Sequence, residues 1–172
     1  MLIADSVEAQ MPERVEHGDV RPLGRRRGPG RVTVGAVKGF SFSTEVTVRF
    51  AETDAQSVVH HASYLVWFEV ARVDYLARFD GGYPGLRARG VEATTAECHV
   101  RYLTPARFAD VLVVHARCTD LRGARFRFEY AVERAGSVIA DGWTAHATID
   151  AETLRPTRMP PWLSEAIARA EE

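Results

Sequence analysis

The sequence has little of what would place it quickly in several large classes. It holds two cysteines, Cys98 and Cys118, with no CxxC spacing. A disulfide framework or a thiolate zinc site is therefore not expected, and two buried thiols in a reducing cytoplasm is the simple reading. No apolar run approaches the roughly 18–20 residues that a membrane-spanning helix needs, and the N-terminus lacks a basic patch followed by an apolar core and a cleavage site. A soluble, cytoplasmic protein without membrane association is expected. An excess of one charge is missing too: 22 basic and 23 acidic side chains leave a net charge of −1. No global field draws the chain to nucleic acid or to an anionic membrane, so an anionic ligand would have to be gripped by a local cluster.

What is present is enough for one domain. A chain of 172 residues, 46% hydrophobic and 26% charged, can bury one proper core but not two of ordinary size. Residues 1–40 intersperse arginines with glycines and prolines and follow neither a helical nor a strand period, which predicts a flexible leader before a single domain over residues 41–172. The basic tract Gly24–Gly30 reads as a solvated tail rather than a nucleic-acid arm.

From Phe42 the pattern alternates, with Val46, Val48 and Phe50 on one side and Glu45, Thr47 and Arg49 on the other, the period of a half-buried strand. Residues 51–60 are polar and carry Glu52, Thr53, Asp54, Gln56 and Ser57, so they read as a loop. Then Tyr64, Leu65, Phe68, Ala71, Tyr75, Leu76 and Phe79 recur at spacings of three and four, predicting one helix of about 17 residues with Ser63 as its cap. Gly81, Gly82, Pro84 and Gly85 end it, and one short helical turn is possible over 85–90. Strand-like composition follows at 91–102, 109–120, 125–134 and 137–150. The tight connections at 121–123 and 135–136 predict an antiparallel meander, and a terminal helix begins at Pro160 and Pro161. A sheet with one apolar face and one apolar helix satisfy each other when the sheet wraps the helix, an α+β two-layer arrangement.

The stretch from Val48 to Leu65, including Asp54-Ala55-Gln56-Ser57-Val58-Val59-His60-His61, together with Phe68-Glu69-Val70-Ala71-Arg72, resembles the signature of the 4-hydroxybenzoyl-CoA thioesterase family, which includes bacterial acyl-CoA thioesterases associated with the Tol-Pal cluster. The segment 100–110, Val-Arg-Tyr-Leu-Thr-Pro-Ala-Arg-Phe-Ala-Asp, resembles its second landmark. The resemblance covers roughly residues 42–155. It implies a hotdog fold, an antiparallel five-stranded sheet wrapped around one long central helix. It also implies acyl-CoA as substrate, hydrolysis without metal or organic cofactor, active sites at a homodimer interface, and often a homotetramer of two dimers. Relatives commonly carry Gly-Gly or Ala-Gly after the aspartate, where this chain has Ala55-Gln56-Ser57; that departure bears on substrate range.

Thioester hydrolysis needs a nucleophile or general base, a donor for the developing oxyanion, and a hold on CoA. An aspartate in a polar loop most often closes a turn, but His61, seven residues on, and the surrounding motif favour Asp54 as the catalytic carboxylate. It either attacks the carbonyl to form an anhydride or takes a proton from an attacking water, and the residues leave both open. His61 matches the family position whose backbone N–H points at the thioester oxygen from the helix start, where free N–H groups converge. The substrate-binding set expected around them is His60, Ser63, Tyr64, Glu69 and Arg125. Arg101, Arg107, Arg122 and Arg127 are further candidates for CoA phosphates. Zinc at His60, His61 and Asp54 is disfavoured because adjacent histidines cannot easily share one ion. Two other readings fit the same residues: an acyl-carrier-protein thioesterase of a biosynthetic cluster, and a non-catalytic acyl-CoA-binding hotdog module.

Overall fold

The computed structural model describes residues 37–79 and 81–172; residues 1–36 of the expected leader lie outside them. Residues 37–40 run against the sheet, where the Phe40 ring stands 6.0 Å from that of His115 and Arg117 donates to the Gly39 carbonyl at 3.0 Å.

Strand β1 (Phe42–Thr47) leads through a 3-10 turn (Phe50–Glu52) and a loop into helix α1 (Ser63–Leu76), followed by the short α2 (Gly82–Ala88). Four strands come next, β2 (Val91–Tyr102), β3 (Val111–Arg122), β4 (Arg125–Arg134) and β5 (Ser137–Asp150), and then α3 (Pro161–Glu171). All pairings are antiparallel, in the order β1-β3-β4-β5-β2.

The expected meander therefore holds for β3, β4 and β5 but not for β2, which adds to the free edge of β5. The hairpin from β4 to β5 turns on Ala135 and Gly136, both at positive φ, the geometry that matches strand twist. Residues 103–110 between β2 and β3 make no such turn. Their backbone bonds go to the 48–59 region instead, from Val59 N to Ala106 O at 2.8 Å and from Val48 N to Asp110 O at 2.9 Å, so the chain crosses to the far side of the sheet before β3 begins.

The sheet closes on α1 through aromatic side chains. Phe68 stacks on Tyr130 with centroids 4.2 Å apart, and Tyr75 meets Phe42 and Phe128 edge-on at 5.7 and 5.1 Å. Such pairs add to plain area burial. Gly142 on β5 lets β2 and α1 approach together: a Cβ there would lie 2.2 Å from the His99 carbonyl oxygen and 2.9 Å from Phe68 Cε2. Helix α1 is 14 residues long rather than about 17, because Arg78 and Phe79 N–H bond three residues back, to Tyr75 and Leu76, and the chain tightens out of α geometry. Its outward stripe is apolar as well, with Val66, Val70 and Val73 exposed.

Candidate active site

The site is assembled by a short closed loop. The pair Thr53 and Val59 forms an isolated antiparallel bridge, Asp54 N–H donates to Val58 O and Ser57 N–H to Asp54 O, each at 2.9 Å. The Asp54 carboxylate, half-buried, accepts the Gln56 N–H on Oδ1 at 2.8 Å, an Asx turn. Oδ2 receives no hydrogen bond from the described residues. The turn function weighed against catalysis is thus present, and it occupies one oxygen while leaving the other available. Ser57 takes φ +58°, a left-handed conformation that favours glycine. It falls within the Ala55-Gln56-Ser57 stretch that follows Asp54.

Glu52 fastens this loop to α1. Its buried carboxylate accepts the Arg49 backbone N–H at 2.7 Å, Arg49 Nη2 at 2.8 Å and Trp67 Nε1 at 3.1 Å. Burial by itself would raise its pKa, but the bonds from Arg49 and Trp67 outweigh that and hold it below the usual carboxylate range. The Glu52 carbonyl accepts the His60 N–H at 2.8 Å and the Ser63 hydroxyl at 3.4 Å. Ser63 therefore bonds back to the loop and does not cap α1, whose N-cap is Ala62 with no side-chain cap. Ser63 is already the first helical residue, and its own N–H is taken by His60 O at 2.9 Å.

At the helix mouth nearly every backbone group is occupied. His60 O accepts from Ser63, Ala62 N–H reaches His60 Nδ1 at 3.3 Å, Ala62 O accepts from Leu65 N at 3.1 Å, and His61 O accepts the Tyr102 hydroxyl at 3.0 Å. The His61 N–H is among the groups left over: no hydrogen bond from it, nor from the Tyr64 N–H, is found among the described residues. An unbonded amide at a helix start, following in the same short segment a carboxylate with one free oxygen, can polarise a carbonyl while the carboxylate acts on it.

The other expected site residues are scattered. The His60 and His61 rings lie 4.1 Å apart and both residues are exposed; no cluster able to hold a metal ion occurs among the described residues. Tyr64 is only 2% exposed, packed against Trp67 and Tyr102, with its hydroxyl accepting the Ala106 N–H at 3.4 Å. Burial raises its phenol pKa. Glu69 is exposed, 3.4 Å from the buried Arg72, and the two line a cavity of about 370 Å³ with Tyr83, Thr94 and Thr95. Arg125 sits at the opposite end of the sheet. It pairs with Ala147 on β5, whereas Tyr102 pairs with Ala140, a displacement of about 23 Å along the strand. Within one chain Arg125 is thus remote from His61. It borders a groove of about 560 Å³ with Arg122 and Arg127. Arg101 is bound to Asp141, and Arg107 donates to Ser57 O at 3.2 Å. Two residues that hold the site, Glu52 and Tyr102, have no role assigned from the sequence. The three-residue spacing of Arg49 and Glu52 is a visible signal, but nothing local marks Tyr102, whose bond to His61 spans 41 positions.

No helix among the described residues is long and apolar enough to cross a membrane. The profile of the thioesterase-like superfamily matches residues 48–167. Among curated relatives, the acyl-CoA thioester hydrolase YbgC of Escherichia coli O157:H7 is 28% identical over 120 residues, covering 69% of this chain and 90% of YbgC. The 1,4-dihydroxy-2-naphthoyl-CoA hydrolase of a Synechococcus strain is 29% identical over 120 residues, covering 66% of this chain and 80% of the hydrolase. A thioesterase from Thermus thermophilus, solved in complex with coenzyme A and zinc, superposes with a TM-score of 0.68 at 28% identity, covering 78% of this chain and 96% of that one. These matches bear out the resemblance read from residues 48–72 and 100–110 and the hotdog arrangement of sheet and helix. The chain belongs to the thioesterase-like superfamily of hotdog-fold hydrolases.

Proposed function

We propose that the protein hydrolyses acyl-CoA thioesters carrying a short or aromatic acyl group, with Asp54 as the reacting carboxylate and the His61 N–H as the oxyanion donor. The observation that carries this reading is the unoccupied His61 amide at the helix mouth, flanked by His60 N–H and O, His61 O, Ala62 N–H and Ser63 N–H that are all bonded. The thioester oxygen accepts that N–H. In the general-base form, Asp54 takes a proton from a water that adds to the carbonyl carbon, and the tetrahedral oxyanion forms against the amide. Collapse breaks the C–S bond and the departing thiolate of CoA takes up the proton. In the nucleophilic form, Asp54 attacks directly, the thiolate leaves, and water cleaves the resulting mixed anhydride. Single turnover in ¹⁸O water together with hydroxylamine trapping separates the two: label in the Asp54 side chain marks the anhydride path when water attacks the aspartyl carbonyl, and a trapped Asp54 hydroxamate or acyl hydroxamate marks it when water attacks the acyl carbon.

A second copy completes the site. β2 is an edge strand, exposed over most of its length, and α1 presents Val66, Val70 and Val73 outward; both call for a cover. Two-fold pairing along β2 brings the far end of one sheet toward the helix mouth of the other, which supplies the route by which the Glu69 cavity and Arg125 meet substrate. His60, Ser63 and Tyr64 line or support the mouth from the same chain. A homodimer, itself paired into a homotetramer, working in the cytoplasm without cofactor, is the assembly this reading takes.

The testing experiment is a panel of acyl-CoA thioesters and matched acyl-carrier-protein thioesters, followed by free thiol release. Turnover of short or aromatic acyl-CoA is expected. Turnover confined to carrier-protein thioesters would replace the substrate assignment, and saturable binding with no thiol release would replace the enzyme by a binding module.

A further inference from the structure

The mouth of α1 depends on a side chain from outside its own segment. Tyr102 ends β2, and its hydroxyl donates to the His61 carbonyl at 3.0 Å, while its ring meets the ring of Tyr64 edge-on at 5.1 Å. The next amide in the chain, Ala62 N–H, is held by His60 Nδ1, which requires the imidazole proton on Nε2. The peptide group joining residues 61 and 62 is thus clamped at both ends. The peptide joining residues 60 and 61 carries the oxyanion donor, and its orientation is fixed by that clamp together with the turn from His60 O to Ser63 N.

We infer that Tyr102 is a positioning residue, whose hydroxyl aims the His61 amide at the reacting carbonyl by holding the adjoining peptide. The inference rests on the thioesterase reading above and deepens it. Oxyanion donors act in proportion to how well they are pre-aimed, and a tyrosine hydroxyl on a neutral carbonyl fixes one peptide without adding charge. Because Tyr102 lies on the edge strand that a second copy would cover, assembly and turnover become linked: seating β2 against a partner also seats the clamp.

The experiment compares wild type with Tyr102→Phe, which keeps the ring pair and removes one hydroxyl. The control is Tyr75→Phe, which loses the bond to Glu171 at the other end of α1. Thiol-release kinetics on the best acyl-CoA of the panel are expected to show kcat about tenfold lower in Tyr102→Phe with KM within twofold, while Tyr75→Phe keeps kcat. In parallel, the ¹³C carbonyl resonance of His61 is expected to shift upfield in Tyr102→Phe alone, with microsecond-to-millisecond exchange appearing at the His61 amide. A Tyr102→Phe protein with wild-type kcat, or with an unchanged His61 carbonyl resonance, overturns the inference. A wild type inert toward every thioester overturns the thioesterase reading instead, and the NMR comparison then still decides whether Tyr102 holds the helix mouth.

Discussion

His146 offers a test of the packing that does not depend on any substrate. Its ring is buried on the inner face of β5, stacked on Phe126 at 5.1 Å and edge-on to Phe128 at 5.9 Å, with Nε2 at 2.7 Å from the Thr144 hydroxyl and Nδ1 at 3.4 Å from that of Thr95. Burial first, and the Arg72 charge second, lower its pKa from 6.5 to about 4. The unfolded chain takes up this proton near pH 6.5, whereas the native ring takes it only near pH 4. The unfolded state therefore binds more protons across that window, and stability falls as pH falls through it. At about 1.4 kcal/mol per pH unit, the loss comes to about 3 kcal/mol. For a chain of this size that is about 6–12 °C in thermal midpoint. Urea unfolding of wild type and His146→Gln at steps from pH 7 to pH 4 should give curves that converge toward acid, the variant lacking this loss. Losses from carboxylates held below their usual range, such as Glu52 and Asp110, set in only as pH enters the carboxylate range, and they cancel in the difference between the proteins. Parallel curves over the whole window would refute the reasoning.

Four further outcomes are expected. Glu52→Ala strips the buried Trp67 N–H and the Arg49 backbone of their acceptor and should cost about 2–4 kcal/mol, read as a lower urea midpoint with kcat falling as the loop loosens. Ser57→Gly relieves a left-handed backbone and should raise stability by about 0.5–1 kcal/mol, seen in calorimetry. Gly142→Ala forces a methyl group against the His99 carbonyl and Phe68 and should cost about 2–3 kcal/mol or more, with far-UV circular dichroism reporting a disturbed junction of β5 and β2. Asp54→Asn keeps the acceptor for the Gln56 N–H but removes the charge, and kcat should fall at least about 100-fold with little change in stability; a wild-type rate would remove Asp54 from the chemistry.

Much of this architecture is legible in the chain. The alternation in β1 and β4, the three-and-four spacing of α1 and the Ala135-Gly136 turn each follow from local periods, and the structure places those elements within a few residues of expectation. The misplacement of β2 has a different origin. Nothing in the period of residues 91–102 says which edge receives them; that is decided by residues 103–110 bonding to Val48 and Val59. The same limit separates the two halves of the site. Asp54 and His61 stand in one short segment and can be read together, whereas Tyr102 reaches His61 only after the chain has passed through α1 and α2 and entered the sheet. Arg125 shows the converse. Its residue type leads to an expected role in holding CoA, and the strand register puts it about 23 Å along the strand from Tyr102, which bonds the helix mouth. Ser63 is a reasonable cap by residue type, but the turn from His60 consumes its N–H and starts the helix one residue early.

The central assignment is tested most directly by the structure of the protein bound to an acyl-CoA analogue whose thioester sulfur is replaced by a methylene, leaving a ketone that cannot be hydrolysed. The ketone oxygen is expected at about 2.7–3.1 Å from the His61 nitrogen, with the free Asp54 oxygen facing the carbonyl carbon directly or through one water. A ketone bound elsewhere, with the His61 amide turned to solvent and Asp54 out of reach, would contradict the account.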